Sequence, residues 1–168
     1  PEILDGGLPQ LLNVIYGNIS LLPGVRLVDL HLPDRVLDQC PGPRLGIRGL
    51  RDLVQGHGRP LVAAALKPVG LAPAALAELA ASFARAGMDV IKDDHSLVDQ
   101  SFAPFRERVR AVVGAVRRVN EGRSDGQTAY FANVTGPAEE LLQKAEFAAR
   151  AGAHGILISP GLVGLDAM

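Results

Sequence analysis

Residues 61–95, LVAAALKPVGLAPAALAELAASFARAGMDVIKDDH, decide the fold. The stretch opens with a short apolar run, Leu61 to Leu66, that stops at Lys67-Pro68. Pro73 then suits the first turn of a helix, and Leu76, Leu79, Ala80 and Phe83 recur at helical spacing up to Gly87. A second, very short apolar run, Val90-Ile91, ends in Lys92-Asp93-Asp94-His95. A strand buried on both faces, a one-sided helix and another buried strand imply a parallel sheet.

Downstream the unit recurs. Phe105, Val109, Val112, Val113 and Val116 form one face of a second helix, and Arg106, Arg110, Arg117 and Arg118 fall largely elsewhere, as on a solvated face. Thr128 to Ala132 reads as a third strand ending near Asn133-Val134-Thr135, Glu139 to Arg150 as a third helix, and Ile156 to Ile158 as a fourth strand before Ser159-Pro160-Gly161. Ala84-Arg85-Ala86-Gly87 and Ala149-Arg150-Ala151-Gly152 echo one another, each glycine standing where a helix C-cap belongs. Open doubly wound sheets and closed barrels both fit this alternation. Polar residues at every strand end (Lys67, Lys92 with Asp94, Asn133, Ser159) favour a barrel, whose strand ends converge on one mouth. The predicted fold is α/β, a partial TIM (β/α)8 barrel of about four βα units where closure needs eight.

Upstream, Leu11 to Tyr16 is a strand candidate ending at Gly17-Asn18, and a stretch rich in proline and glycine runs from there to Gly58. The expected organisation is the end of an α+β N-terminal domain over 1–18, a connecting segment over 19–58, and the first half of a catalytic barrel over 59–168. Of the 168 residues 48% are hydrophobic and 21% charged, with a net charge of −1, which fits a globular core and gives no electrostatic reason to expect nucleic acid or an anionic membrane as partner. Cys40 is the one cysteine, so no intrachain disulfide forms, and a cytoplasmic location is expected.

Two strand ends carry the candidate chemistry. Residues two apart on a strand share a face, so Lys92 and Asp94 both point into the mouth. An ammonium is no metal ligand, but a lysine amine that captures carbon dioxide becomes a carbamate, and carbamate plus aspartate suits a hard cation such as magnesium. By spacing alone a charged strand end with a surface Lys-Asp pair explains the same residues. Lys67, in a partly buried mouth near other cations, suits a general acid or base, and by spacing alone equally a snorkelling strand-end lysine.

A resemblance weighs between these readings. Gly42-Pro43, Gly46-Ile47, Arg51 and Gly58-Arg59-Pro60-Leu61, leading into Leu66-Lys67-Pro68, are similar to the opening of the barrel of the RuBisCO large-subunit family. Gly87-Met88-Asp89-Val90-Ile91-Lys92-Asp93-Asp94 resembles that family's signature around its carbamylated lysine. Tyr130 to Gly136 looks like its third strand, and Gly17-Asn18 like the end of its N-terminal domain. The resemblance implies Lys92 as the carbamylated magnesium ligand, Asp94 as a second ligand, and His95 where the family usually has a glutamate ligand. It implies Lys67 as the proton-transferring lysine, Asn18 as a residue reaching a neighbouring subunit's active site, and Asn133 as a weak substrate-binding position. Magnesium, carbon dioxide as the Lys92 carbamate, a phosphorylated small-molecule substrate and a homodimer or larger homo-oligomer follow as expectations.

Two departures narrow the expectation. Carboxylases of the family have a second lysine and one further residue between the first Lys-Pro and Gly-Leu, where this sequence has only Val69. Neutral His95 also removes one anionic ligand, and imidazole suits softer metals than magnesium. Both resemble the RuBisCO-like, form IV branch, whose members enolise, isomerise or decarboxylate phosphorylated keto compounds. The alternatives are a genuine ribulose-bisphosphate carboxylase and a barrel with a binding or scaffolding role. The chain is expected to be part of a longer enzyme and inactive by itself.

Overall fold

The computed structural model describes residues 7–17, 19–38 and 42–165. The chain divides into two compact units, 1–44 and 45–168.

The first unit contains helix α1 (Gly7–Tyr16), a 3-10 turn (Ile19–Leu21) and the short helix α2 (Asp34–Leu37), with residues 25–33 in neither helix nor strand. The expected strand Leu11 to Tyr16 is therefore the body of α1. A six-residue apolar run satisfies both periods, and neighbours outside it decide. Pro9 sits in the first turn, where its missing N–H has no intrahelical partner to lose, and Leu11, Leu12 and Ile15 share the half-buried side while Asn13, Val14 and Tyr16 are exposed. The Gly17 N–H donates to Asn13 O at 2.8 Å, extending the helical ladder. Asn18 and Cys40 lie outside the described residues.

The second unit begins with α3 (Gly46–Val54), inside the stretch expected to be a connection. Four strands follow, β1 (Ala63–Leu66), β2 (Val90–Asp93), β3 (Ala129–Asn133) and β4 (Gly155–Leu157), all parallel and in the order β1-β2-β3-β4. Between them run α4 (Pro73–Arg85), α5 (Phe105–Asn120) and α6 (Ala138–Ala151), and α7 (Pro160–Val163) comes last. The four expected βα units are thus present, with Gly87 and Gly152 at positive φ behind their helices. No helix of the described residues is long and apolar enough to cross a membrane.

Strand alternation sorts the core into two faces. Leu66, Ile91, Tyr130 and Ala132 join Leu76, Ala80, Val109, Val112 and Phe147 in a cluster between the sheet and α4, α5 and α6. Val90, Ala129 and Phe131 face the other way, where α3 covers the strand starts with Leu50, Leu53 and Val54. Gln127 N–H donates to Leu53 O at 3.1 Å, and Gly126, at φ +97°, packs so closely on the Val54 backbone that a Cβ would overlap it.

Two buried carboxylates fix β2 at its ends. Ahead of the strand, Asp89 receives both arms of the Arg59 guanidinium at 2.6 and 2.7 Å and the Val62 N–H at 2.8 Å. At its end, fully buried Asp93 points to the helices and receives Arg108 Nε at 3.2 Å, Tyr130 O–H at 2.8 Å and Asn133 N–H at 2.9 Å. Arg108 is fully buried as well and spends its other arms on Ala103 O at 3.0 Å and Val98 O at 2.8 Å.

Arg108→Met leaves a buried charge at Asp93 without its counter-ion, a loss of about 3–5 kcal/mol. Denaturant unfolding is expected to show this, with partial recovery when Asp93→Leu is added. The Arg59 guanidinium and then the Val62 N–H hold the Asp89 carboxyl below its ordinary value. Its contribution is therefore present above the unfolded-state value, about 3.9, and is lost as pH falls through the lower folded value. Asp89→Asn is expected to lower the melting temperature at neutral pH and to flatten its decline below about pH 4; equal acid slopes in both proteins would contradict this.

Candidate active site

The sheet register places the candidate residues. Ala65 pairs with Lys92 and Leu66 with Asp93, so the next residues out, Lys67 and Asp94, come side by side beyond adjacent strand ends. Alternation sends Lys92 and Asp94 away from the helices and the intervening Asp93 toward them. Lys67 Nζ lies 3.1 Å from Asp94 Oδ2, the Asp94 side chain being 4% exposed and that of Lys67 62%. The ammonium sits off the direction of a hydrogen bond, so Oδ2, a buried atom, has no directed donor.

The other carboxylate oxygen is held. Ser96 N–H donates to Asp94 Oδ1 at 2.9 Å, and His95 Nδ1 stands 3.5 Å from the same atom on a largely exposed ring. The Ser96 N–H first, and then Lys67 and His95, hold the Asp94 carboxyl below its ordinary value against the opposing effect of burial. Asp94 thus has one carboxylate oxygen anchored by backbone and the other buried beside the Lys67 ammonium without a directed hydrogen bond. Lys92 is half-buried, and its Nζ donates to Asp93 O at 3.2 Å.

Among the described residues no three His, Cys, Asp or Glu side chains gather to hold a metal ion. Asp94 and His95 alone are too few for a hard cation that takes about six oxygen ligands. The donor set fits magnesium only with a further oxygen ligand, which a carbamate on Lys92, on the same strand face as Asp94, would supply.

Asn133, fully buried at the end of β3, turns its amide to the backbone of the β2 exit. Nδ2 lies 3.2, 2.9 and 3.2 Å from the carbonyl oxygens of Asp94, His95 and Leu97, and Oδ1 accepts the Thr135 N–H at 3.1 Å. The structure therefore brings Lys67, Asp94 and His95 together, with Lys92 on the same face and Asn133 behind the loop.

The sequence assigns no role to Asp93, Arg108 or Tyr130. Arg108 follows Phe105 by three and precedes Val109 and Val112, which puts a charge on the apolar stripe of α5 and is the signal that a buried counter-charge awaits it. Asp93 carries the same signal, because its neighbours Lys92 and Asp94 face the opposite way. His154, in a predicted connection, accepts the Tyr130 N–H at its Nδ1, 3.2 Å away.

Known proteins share this sequence and fold. The family model described as ribulose bisphosphate carboxylase large chain, catalytic domain, matches residues 46–168. The ribulose bisphosphate carboxylase-like protein 1 of Rhodopseudomonas palustris is 42% identical over 156 residues, covering 93% of this chain and 42% of its own. A 5-methylthioribulose-1-phosphate isomerase of Rhodospirillum rubrum is 41% identical over 162 residues (96% of this chain, 43% of its own). A 2,3-diketo-5-methylthiopentyl-1-phosphate enolase of Geobacillus kaustophilus is 39% identical over 164 residues (96% and 39%). Among solved structures, a Rubisco-like protein from Rhodopseudomonas palustris superposes with a TM-score of 0.82 at 43% identity, over 94% of this chain and 45% of that one. An octameric Rubisco from Pyrococcus horikoshii does so with a TM-score of 0.83 at 31% identity, over 96% and 40%. The chain spans about two-fifths of the length of the curated relatives it matches. A parallel βα sheet, lysines and an aspartate at its strand ends and these likenesses agree: the chain belongs to the ribulose bisphosphate carboxylase large-chain family, on its RuBisCO-like (form IV) branch.

Proposed function

We propose that the full-length protein is a magnesium-dependent enolase or isomerase that moves a proton next to the carbonyl of a phosphorylated keto sugar or sugar acid. The observation that carries this reading is the Lys67–Asp94 pair at adjacent strand ends, with Lys92 on the same face and Asp94 Oδ2 lacking a directed donor. Relatives named as an isomerase and an enolase of phosphorylated methylthio sugars support it.

In this reading Asp94 and Lys92, the latter carbamylated by carbon dioxide, would hold the cation. The cation's chemistry is to polarise the substrate carbonyl and stabilise the negative charge that develops on its oxygen. Lys67 takes or returns the proton at the neighbouring carbon, because its side chain stands largely exposed beside the buried Asp94, where a substrate can reach it. His95 stands where the resemblance places an anionic ligand, with an imidazole in place of a carboxylate. Its Nδ1 already faces Asp94 Oδ1, which suits a hydrogen bond to that carboxylate as well as a place near the metal. Asn18 completes the mouth of a neighbouring subunit in a cytoplasmic homo-oligomer, consistent with the octameric assembly of the Pyrococcus horikoshii relative. Val69 and His95 argue against carbon dioxide fixation, since the carboxylase pattern has a lysine and an acid there.

Solvent deuterium exchange into 5-methylthioribulose 1-phosphate or 2,3-diketo-5-methylthiopentyl 1-phosphate, followed by NMR with the full-length protein, tests the reading. Exchange that depends on magnesium and falls by about 10²–10⁴-fold in Lys67→Met is expected; exchange indifferent to that substitution removes the proton-transfer role. In calorimetric titrations His95→Glu is expected to tighten magnesium binding in the presence of bicarbonate, and Lys92→Ala to abolish the bicarbonate dependence. Unchanged affinity in both removes the metal from this strand end.

A further inference from the structure

We infer that Asn133 is a positioning residue for the cation site, holding the Asp94 carboxylate in place from behind without touching substrate or metal. The inference rests on the metal reading of Asp94 and goes beyond it by assigning what orients that ligand. Asn133 is fully buried, and both ends of its amide are occupied by backbone: Nδ2 by the carbonyls of Asp94, His95 and Leu97, Oδ1 by the Thr135 N–H. A side chain so committed has nothing left to offer a substrate. What it fixes is the tight exit of β2, the turn in which Ser96 N–H anchors Asp94 Oδ1.

The same residue joins three strand ends. Its N–H donates to Asp93 Oδ2 at 2.9 Å, so its backbone is tied to the buried pair behind β2. Thr135, whose N–H it receives, accepts the Ser159 N–H on its Oγ1 at 3.1 Å, at the end of β4. An amide supplies donors and an acceptor in one planar group, which neither aspartate nor leucine of similar size reproduces. Groups that orient a metal ligand in this way typically change metal affinity by about 10–100-fold when removed.

Asn120 provides the control at the opposite end of the same strand. Its side chain bridges both backbone groups of Thr128, donating to O at 3.1 Å and accepting N–H at 2.9 Å. Asn133→Ala and Asn120→Ala therefore each remove an asparagine bridge to the backbone, but only the first lies behind Asp94. Magnesium alone, titrated with bicarbonate into the full-length protein by calorimetry, is the probe, with thermal unfolding alongside. About 10–100-fold weaker binding in Asn133→Ala, and wild-type binding in Asn120→Ala at a similar loss of melting temperature, is expected. The milder Asn133→Ser, keeping one donor, is expected to fall between wild type and Asn133→Ala, and serves in its place should the alanine variant not fold. Wild-type affinity in Asn133→Ala or Asn133→Ser, or an equal loss in Asn120→Ala, overturns the inference. Asp94→Asn separates the two levels: if it abolishes binding while the Asn133 variants bind normally, the positioning role alone fails. If Asp94→Asn binds as wild type does, the metal reading fails and the positioning role with it.

Discussion

The buried Asp93 carboxylate is the interaction on which the site depends. It lies at the end of the four-residue strand β2, where a slip by one residue would exchange the two faces. Arg108 from α5, the Tyr130 hydroxyl and the Asn133 N–H from β3 all converge on it. Burial pushes its proton affinity up, and Arg108 with the two other donors pulls the other way. Once Asp93 is committed to the helix side, strand geometry commits Lys92 and Asp94 to the opposite side. A buried ion pair of this kind adds little net stability compared with apolar packing, but its loss from one side is costly. Here its consequence is orientation.

Asp89 does the equivalent work at the other end of β2. The Arg59 guanidinium binds it from the segment that leads into β1, so the starts of β1 and β2 are tied before either strand begins. Below, Thr128 Oγ1–H donates to Met88 O at 2.8 Å and ties the start of β3 to the same point. The strands are thus aligned at their beginnings by polar contacts and through their middles by the apolar cluster against the helices, and their far ends hold the polar residues of the candidate site.

At those far ends the electrostatics are uneven by design of the backbone. Asp94 has one oxygen fixed by Ser96 N–H and one oxygen facing only the charge of Lys67. Two lysines and an aspartate share one face, and the acid that the resemblance leads one to expect next in sequence is His95. The relatives with isomerase and enolase names, and the Pyrococcus horikoshii Rubisco, show that one scaffold accommodates different reactions.

The alternation of apolar runs with one-sided helices carried the parallel sheet in the sequence itself, since each run is apolar up to the polar residues that end it. The strand-end placement of Lys67, Lys92, Asp94 and Asn133 was legible for the same reason. The helix over Leu11–Tyr16 was not, because a short apolar run fits both periods and the choice falls to its neighbours. Nor was the division of labour along Lys92-Asp93-Asp94. Alternation sets Asp93 on the face opposite its neighbours, and only the packing of α5, which buries Arg108 against the sheet, supplies the counter-ion that lets a charge be buried there. The role of Asn133 likewise exists only in three dimensions: its partners lie 36 to 39 residues earlier in the chain, and they meet because parallel pairing sets two strand ends side by side.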